Sequence, residues 1–174
     1  MPLPRTGSIS ASQINTELTL QYGTSSTSTL SLNGSQARGL AQKSSGTITF
    51  DDFHGTFQIY AAEDSTNSLD GYAAEAAYGG EDFGAISSTS VSGYVIERLC
   101  YNSFLNRTEL FITSGSSLGK SFFTTLKVGT YSFSSSSSSY GYSTNFAGFS
   151  YWVWSGDPAG LASRIYTYVS CRII

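Results

Sequence analysis

The sequence predicts a mainly β protein: a small N-terminal strand-and-helix segment followed by a β-sandwich-like domain. Composition is the first observation. Ser and Thr make up roughly three residues in ten, Gly occurs 18 times, and Tyr (12) and Phe (11) far outnumber Met (1). Charge is the second: only 12% of residues are charged, against about a quarter in an ordinary soluble domain. The third is pattern. Beyond residue 57 short apolar runs are broken at Gly, Asn and Ser clusters, the spacing of a sandwich. At 174 residues the chain can bury a core without a metal or disulfide.

Residues 1–57 read as an anchoring or assembly segment with an internal repeat, and 58–174 as the β domain. Thr6-Gly7-Ser8-Ile9-Ser10-Ala11-Ser12-Gln13-Ile14 returns as Ser45-Gly46-Thr47-Ile48-Thr49-Phe50-Asp51-Asp52-Phe53, at an offset of 39. Each copy is a short strand turning into a helix. Ile9 and Ile48 point to a core, and Ser10 or Thr49 then accepts from orphan helix amides. Gln13 completes a capping box with Ser10, and Asp52 is placed likewise after Thr49. Ile14 and Leu18 share one helical face, and Gly55 stops the second copy. Between the copies, Ser35 to Lys43 suits a short helix presenting Leu40, weakened by Gly39. Prolines 2 and 4 hold the first residues extended, as a docking arm would be. Such a segment is too small to stand alone, so it packs on a partner or on the rest of the chain. Ile9, Ile14, Ile48, Phe53 and His54 are the candidate docking residues.

The β domain opens with the alternating Phe57-Gln58-Ile59-Tyr60. Ala61 to Gly84 reads as loop with one strand near Tyr72. Val91 to Tyr101 and Arg107 to Thr113 form a hairpin around Asn102 to Asn106. Phe122 to Phe133 is interrupted at Gly129, giving two strands at a turn or a bulge. Six serines, Ser134 to Ser139, read as a loop at a domain edge. Ser150 to Trp154 alternates, with Trp152 and Trp154 on one face, and Arg164 to Ile173 is the last strand.

The chemistry is sparse. A sequence pI near 5.0 with nine basic residues argues against nucleic acid. No apolar run approaches the roughly 18 residues of a membrane span, and the start Met-Pro-Leu-Pro-Arg lacks the apolar core of a secretory signal. Cys100 and Cys171 stand apart, without a CxxC, and read as small buried hydrophobes; a disulfide needs adjacent strands and an oxidising compartment. His54, the only imidazole, sits at a helix end where the dipole favours a cation. No Gly-x-Ser-x-Gly elbow marks a nucleophile. Glu63, Asp64, Asp70, Glu75, Glu81 and Asp82 have neither a glycosidase signature nor EF-hand spacing and read as a solvated face. Asn33-Gly34-Ser35 and Asn106-Arg107-Thr108 match glycosylation sequons but read as turns. The expectation is a protein without catalytic, cofactor or metal residues.

Aromatics carry more. Tyr131, Phe133, Tyr140, Tyr142, Phe146, Phe149, Tyr151, Trp152 and Trp154 crowd the last third. They suit a core with cross-strand pairs, or an exposed platform that stacks on sugars or on a protein partner. The candidate contact residues are Tyr140, Tyr142, Tyr151, Trp152 and Trp154.

The repeated unit, with Glu17, Ala37-Arg38-Gly39-Leu40-Ala41 and the closing Phe53-His54-Gly55, resembles the N-terminal segment of tailed-phage structural proteins. Phe83-Gly84-Ala85-Ile86-Ser87, Gly93, Ile96 to Tyr101, Leu110 to Ile112, Phe123 to Gly129 and Trp152-Val153-Trp154 are similar to the strands of a small virion β domain. The resemblance implies a non-enzymatic virion protein, at the tail (fibre, tip or adhesin) or as a capsid decoration. It implies other virion proteins as partners, assembly in the host cytoplasm and self-association, as in trimeric fibres. It brings no catalytic residues.

Overall fold

The structure, a computed structural model, describes residues 3–25, 28–60, 62–63, 71–75, 85–86, 90–91, 93–102, 105–145, 148–164 and 167–174. It is mainly β, with two α-helices, α1 (Ala11–Tyr22) and α2 (Ser35–Leu40), and twelve strands among the described residues. The strands are β1 (Thr56–Tyr60), β2 (Ala62–Glu63), β3 (Gly71–Glu75), β4 (Ala85–Ile86), β5 (Ser90–Val91) and β6 (Tyr94–Asn102). There follow β7 (Arg107–Thr113), β8 (Thr125–Val128), β9 (Tyr131–Ser134), β10 (Ser139–Ser143), β11 (Phe149–Ser155) and β12 (Tyr168–Ile173). All pair antiparallel, in one sheet ordered β4-β1-β12-β8-β9 and another ordered β10-β11-β7-β6-β3-β2, with β5 added to β6. One core joins Phe57, Ile59, Leu126, Val128, Val169 and Ile173 of the first sheet to Ile96, Leu99, Leu110, Ile112, Trp152 and Trp154 of the second. The arrangement is sandwich-like.

Local chemistry sets the N-terminal elements. Ser10 Oγ accepts the Gln13 amide at 3.2 Å, and Gln13 Oε1 accepts the Ser10 amide at 2.8 Å, so α1 starts on a full capping box. It stops at Gly23, which is left-handed and donates its N–H to Thr19 O. The second copy repeats the box: Asp52 Oδ2 takes the Thr49 amide at 2.8 Å. Only a 3-10 turn follows, Phe50–Phe53. Arg38 of α2 ties the connection to the second copy, donating to Asn33 Oδ1 and to the carbonyls of Lys43 and Gly46. The Thr49 amide, chiefly, and Lys43 at 3.1 Å hold the Asp52 carboxyl below its ordinary range. This contributes stability above the unfolded carboxyl pKa near ~3.9, lost as pH falls through the lower folded value. Asp52→Asn is expected to flatten the acid limb of a stability–pH curve by less than about 1 kcal/mol, the pair being partly exposed.

A second, smaller core gathers Leu3, Ile14, Leu18, Ala37, Leu40, Ala41, Ile48 and Phe53. It seats the helices on the outer side of the first sheet, and this changes several expectations. β1 does not alternate between buried and wet: Phe57 and Ile59 enter the main core, while Thr56 and Gln58 are buried on the other face under the helical layer. Gln58 Nε2 meets Gln21 Oε1 at 2.7 Å, and Gln42 Nε2 reaches Ser170 O of β12. The extended arm docks on its own chain, with Leu3 fully buried and Pro4 O accepting from Gly55 N at 3.1 Å.

Other boundaries also move. The run from Val91 splits into β5 and β6, paired Val91↔Tyr94 across a turn in which Gly93 has φ +83°. The Gly129 interruption is a hairpin turn, with Val128 paired to Tyr131. The six serines lie at an edge of the sandwich, from the end of edge strand β9 to the start of edge strand β10. They form the corner between the sheets: Ser135–Ser137 is a 3-10 turn, and Ser135 and Ser138 are buried. Ser138 is bonded to Ser135 O through both its amide and its hydroxyl, which satisfies polar groups taken into the corner. Arg164 closes a 3-10 turn from Leu161, and the last strand begins only at Tyr168.

Candidate functional site

The last third of the chain separates into an inner and an outer aromatic set, because β11 alternates strictly. Ser150, Trp152 and Trp154 point inward and are buried; Phe149, Tyr151 and Val153 point outward and are half-buried. Trp152 and Trp154 are therefore core residues, a correction to their placement among contact aromatics. Phe123 lies 4.9 Å from Trp152 and Phe133 lies 4.9 Å from Trp154, centroid to centroid. Each indole N–H finds a carbonyl, Trp152 on Lys120 O at 3.1 Å and Trp154 on Ser134 O at 2.8 Å. Tyr140 also packs inward on Trp152, and its hydroxyl takes the Gly119 amide at 2.9 Å. Tyr142 donates to Gly115 O at 2.9 Å and braces a loop.

The outer set forms the candidate surface. One register row crosses four strands: Gly141 of β10, Tyr151 of β11, Phe111 of β7 and Arg98 of β6. The Phe111 and Tyr151 rings stack at 5.8 Å with 27° between planes. Phe149 sits 5.3 Å from Phe111, and the Arg98 guanidinium lies over the Phe111 ring at 5.5 Å. Gly141 makes room for the row, since a Cβ there would lie 2.2 Å from the Tyr151 phenol carbon. Gly141→Ala is expected to swing Tyr151 off Phe111 at a cost under about 1.5 kcal/mol, because a mobile side-chain end yields. The loss of the Phe111–Tyr151 ring-current shifts in the proton spectrum, with the melting temperature nearly kept, checks this.

Of the candidate residues, then, only Tyr151 lies in this row. Phe149 was legible as part of the aromatic crowd. Phe111 and Arg98 were missed, because cross-strand partners come from a different stretch of sequence. Comparison of the chain with protein-family models, curated proteins and solved structures gives no match.

The candidate docking residues are likewise inside. Ile14, Ile48 and Phe53 are buried in the small core and Ile9 packs against it, so they hold the N-terminal layer together. His54 is half-buried. Its Nδ1 donates to Pro4 O at 2.8 Å, which leaves Nε2 3.5 Å from Asp51 Oδ1.

Cys100 and Cys171 are buried thiols on different sheets and are not joined to each other. Burial pushes the Cys171 thiol far above its ordinary pKa. Both thiols are expected to resist a thiol reagent in the native protein and to react on unfolding; a thiol titration with and without denaturant reads this directly.

Of the acidic residues singled out in the sequence, Asp64, Asp70, Glu81 and Asp82 lie outside the described residues, while Glu63 and Glu75 are on β2 and β3. Among the described residues no helix is long and apolar enough to cross a membrane.

Proposed function

We propose that this chain is a non-enzymatic structural component of a tailed-phage particle, placed at the tail and presenting its β domain to partners. The observation that carries this reading is the polarity of the sandwich. One sheet is covered by the chain's own N-terminal layer, and the opposite sheet turns a continuous Tyr151–Phe111–Arg98 row outward. A module built to pack into an assembly needs one satisfied face and one presented face, and aromatic and Arg side chains are favoured at such contacts. The Gly-x-Ile repeat that forms the satisfied face is also one of the two parts that resemble phage structural proteins. A decoration protein of the capsid is the neighbouring proposal. Quantitative mass spectrometry of purified particles separates them. A handful of copies supports the tail, a ratio near that of the major capsid protein supports the shell, and absence from the particle defeats both.

A second reading is favoured by the ring geometry: the module binds host surface glycans on the outer row. Tyr151→Ala and Phe149→Ala should then abolish glycan-array binding while the melting temperature holds. Unchanged binding in both variants sinks it.

A further inference from the structure

The two sheets end side by side in β9 and β10, which the serine corner joins. These are the long edges, since β4 and β2 at the opposite ends of the sheets are two residues each. An exposed edge is commonly guarded by Lys, by Pro, by a bulge or by extreme shortness, because its free N–H and C=O groups pair with any strand offered. β10 has none of these guards and runs five residues in unbroken register against β11. Among the described residues no backbone hydrogen bond reaches its other edge. From Val128 to Gly156 the chain holds no Asp, Glu, Lys, Arg or His, so both edge strands are uncharged.

The strand is also held ready. Tyr140 and Tyr142 are fixed through their hydroxyls, one taking the Gly119 amide at 2.9 Å and the other donating to Gly115 O at 2.9 Å. Ser139, Gly141 and Ser143 alternate with them and stand on the outer face. The hydroxyl end of Tyr151 lies over Gly141, since a Cβ there would be 2.2 Å from it.

We propose that β10 pairs antiparallel with β10 of a second copy of this chain, about a two-fold axis through Gly141. The sequence of the strand selects this occupant. Ser139-Tyr140-Gly141-Tyr142-Ser143 reads the same in both directions, whereas β9, Tyr131-Ser132-Phe133-Ser134, does not. Turned end for end, the strand sets serine opposite serine, tyrosine opposite tyrosine and glycine opposite glycine, each on the matching face, as an isologous contact requires. The paired glycines leave the outer face bare at the axis. There the two Tyr151 hydroxyls, each able to donate and to accept, point towards one another. Charge agrees with the choice. Each copy has a net charge of −3, and this edge lets two such copies meet without like charges opposed. A single five-residue strand pair falls short of the roughly 1,200 Å² of a standard interface, so the dimer is reversible, with a Kd on the order of 100 μM. The contact stands independently of the particle reading, and it makes a two-fold dimer where the fibre resemblance implies a trimer.

The test is sedimentation velocity of the full chain from about 10 μM to about 1 mM, where a reversible monomer–dimer equilibrium is expected. Ser139→Lys combined with Ser143→Lys sets like charges opposite each other at both ends of the strand pair and should weaken the dimer about tenfold or more. Ser139→Lys combined with Ser143→Glu sets opposite charges there and should tighten it about threefold at low salt. The second combination guards against a misfolded first, because both alter the same two positions and a damaged strand does not associate more tightly. A monomer at every concentration, as an edge kept for an extended peptide of another protein would give, overturns the proposal. So does a trimer, and so does equal association of the two double variants.

Discussion

Trp152→Ala is expected to cost about 3–5 kcal/mol, the range for emptying a large aromatic site in a core. Trp152 is fully buried, touches rings from Phe122, Phe123 and Tyr140, and donates its indole N–H to Lys120 O. The substitution therefore opens a cavity and strands an acceptor together. For a chain of this length each kcal/mol moves the melting temperature by roughly 2–4 °C, so a fall of roughly 6–20 °C is expected. Trp152→Phe keeps most of the volume and isolates the hydrogen bond, at about 1–2 kcal/mol. Tyr151→Ala, one position away on the opposite face, should cost far less. Denaturant melts of the three variants check the order; equal losses at 151 and 152 would mean that the face assignment is wrong.

Gly55→Ala is the second large effect, expected at about 3 kcal/mol or more, from backbone strain added to a steric clash. Gly55 has φ +69°, and a Cβ there would sit 2.1 Å from Ile173 O, a backbone atom that cannot rotate away. The close approach exists because Gly55 donates to Pro4 O and accepts from Ile173 N, joining the arm to β12. Gly46→Ala is the control: φ is +79° but nothing lies within 4 Å, so only the left-handed backbone cost of about 1 kcal/mol applies. Thermal melts of both variants give the difference, and equal shifts would show that the contact with β12 carries no weight.

What was legible in the sequence is what short-range chemistry dictates. Ser10 and Gln13 specify the start of α1 by themselves, and Gly129 specifies a turn, because the partners lie within a few residues. The alternation of Trp152 and Trp154 with Phe149 and Tyr151 was also legible, but period two does not say which face is wet. That depends on Phe123, from the segment before β8, and Phe133 of β9 covering the indoles. The apolar residues of the repeat could equally serve a partner or the chain itself, and the sheet they cover is completed only by β12. Composition placed the serine run at an edge, where it lies, but not the burial of Ser135 and Ser138, which depends on the corner's bonds to its own backbone.

The pairing of β12 also orders events in time. β6 and β7 are joined by a short hairpin and can form early, since little chain entropy is lost in closing it. β12 lies between β1 and β8, and its Arg172 bonds His54 across 118 positions of sequence. The first sheet therefore closes late, and the helical layer resting on β1 and β12 gains its complete seat only then. The apolar faces of α1 and α2 close on one another within residues 3–53, so what the layer gains last is its ties to β12, Gln42 to Ser170 and Arg172 to His54.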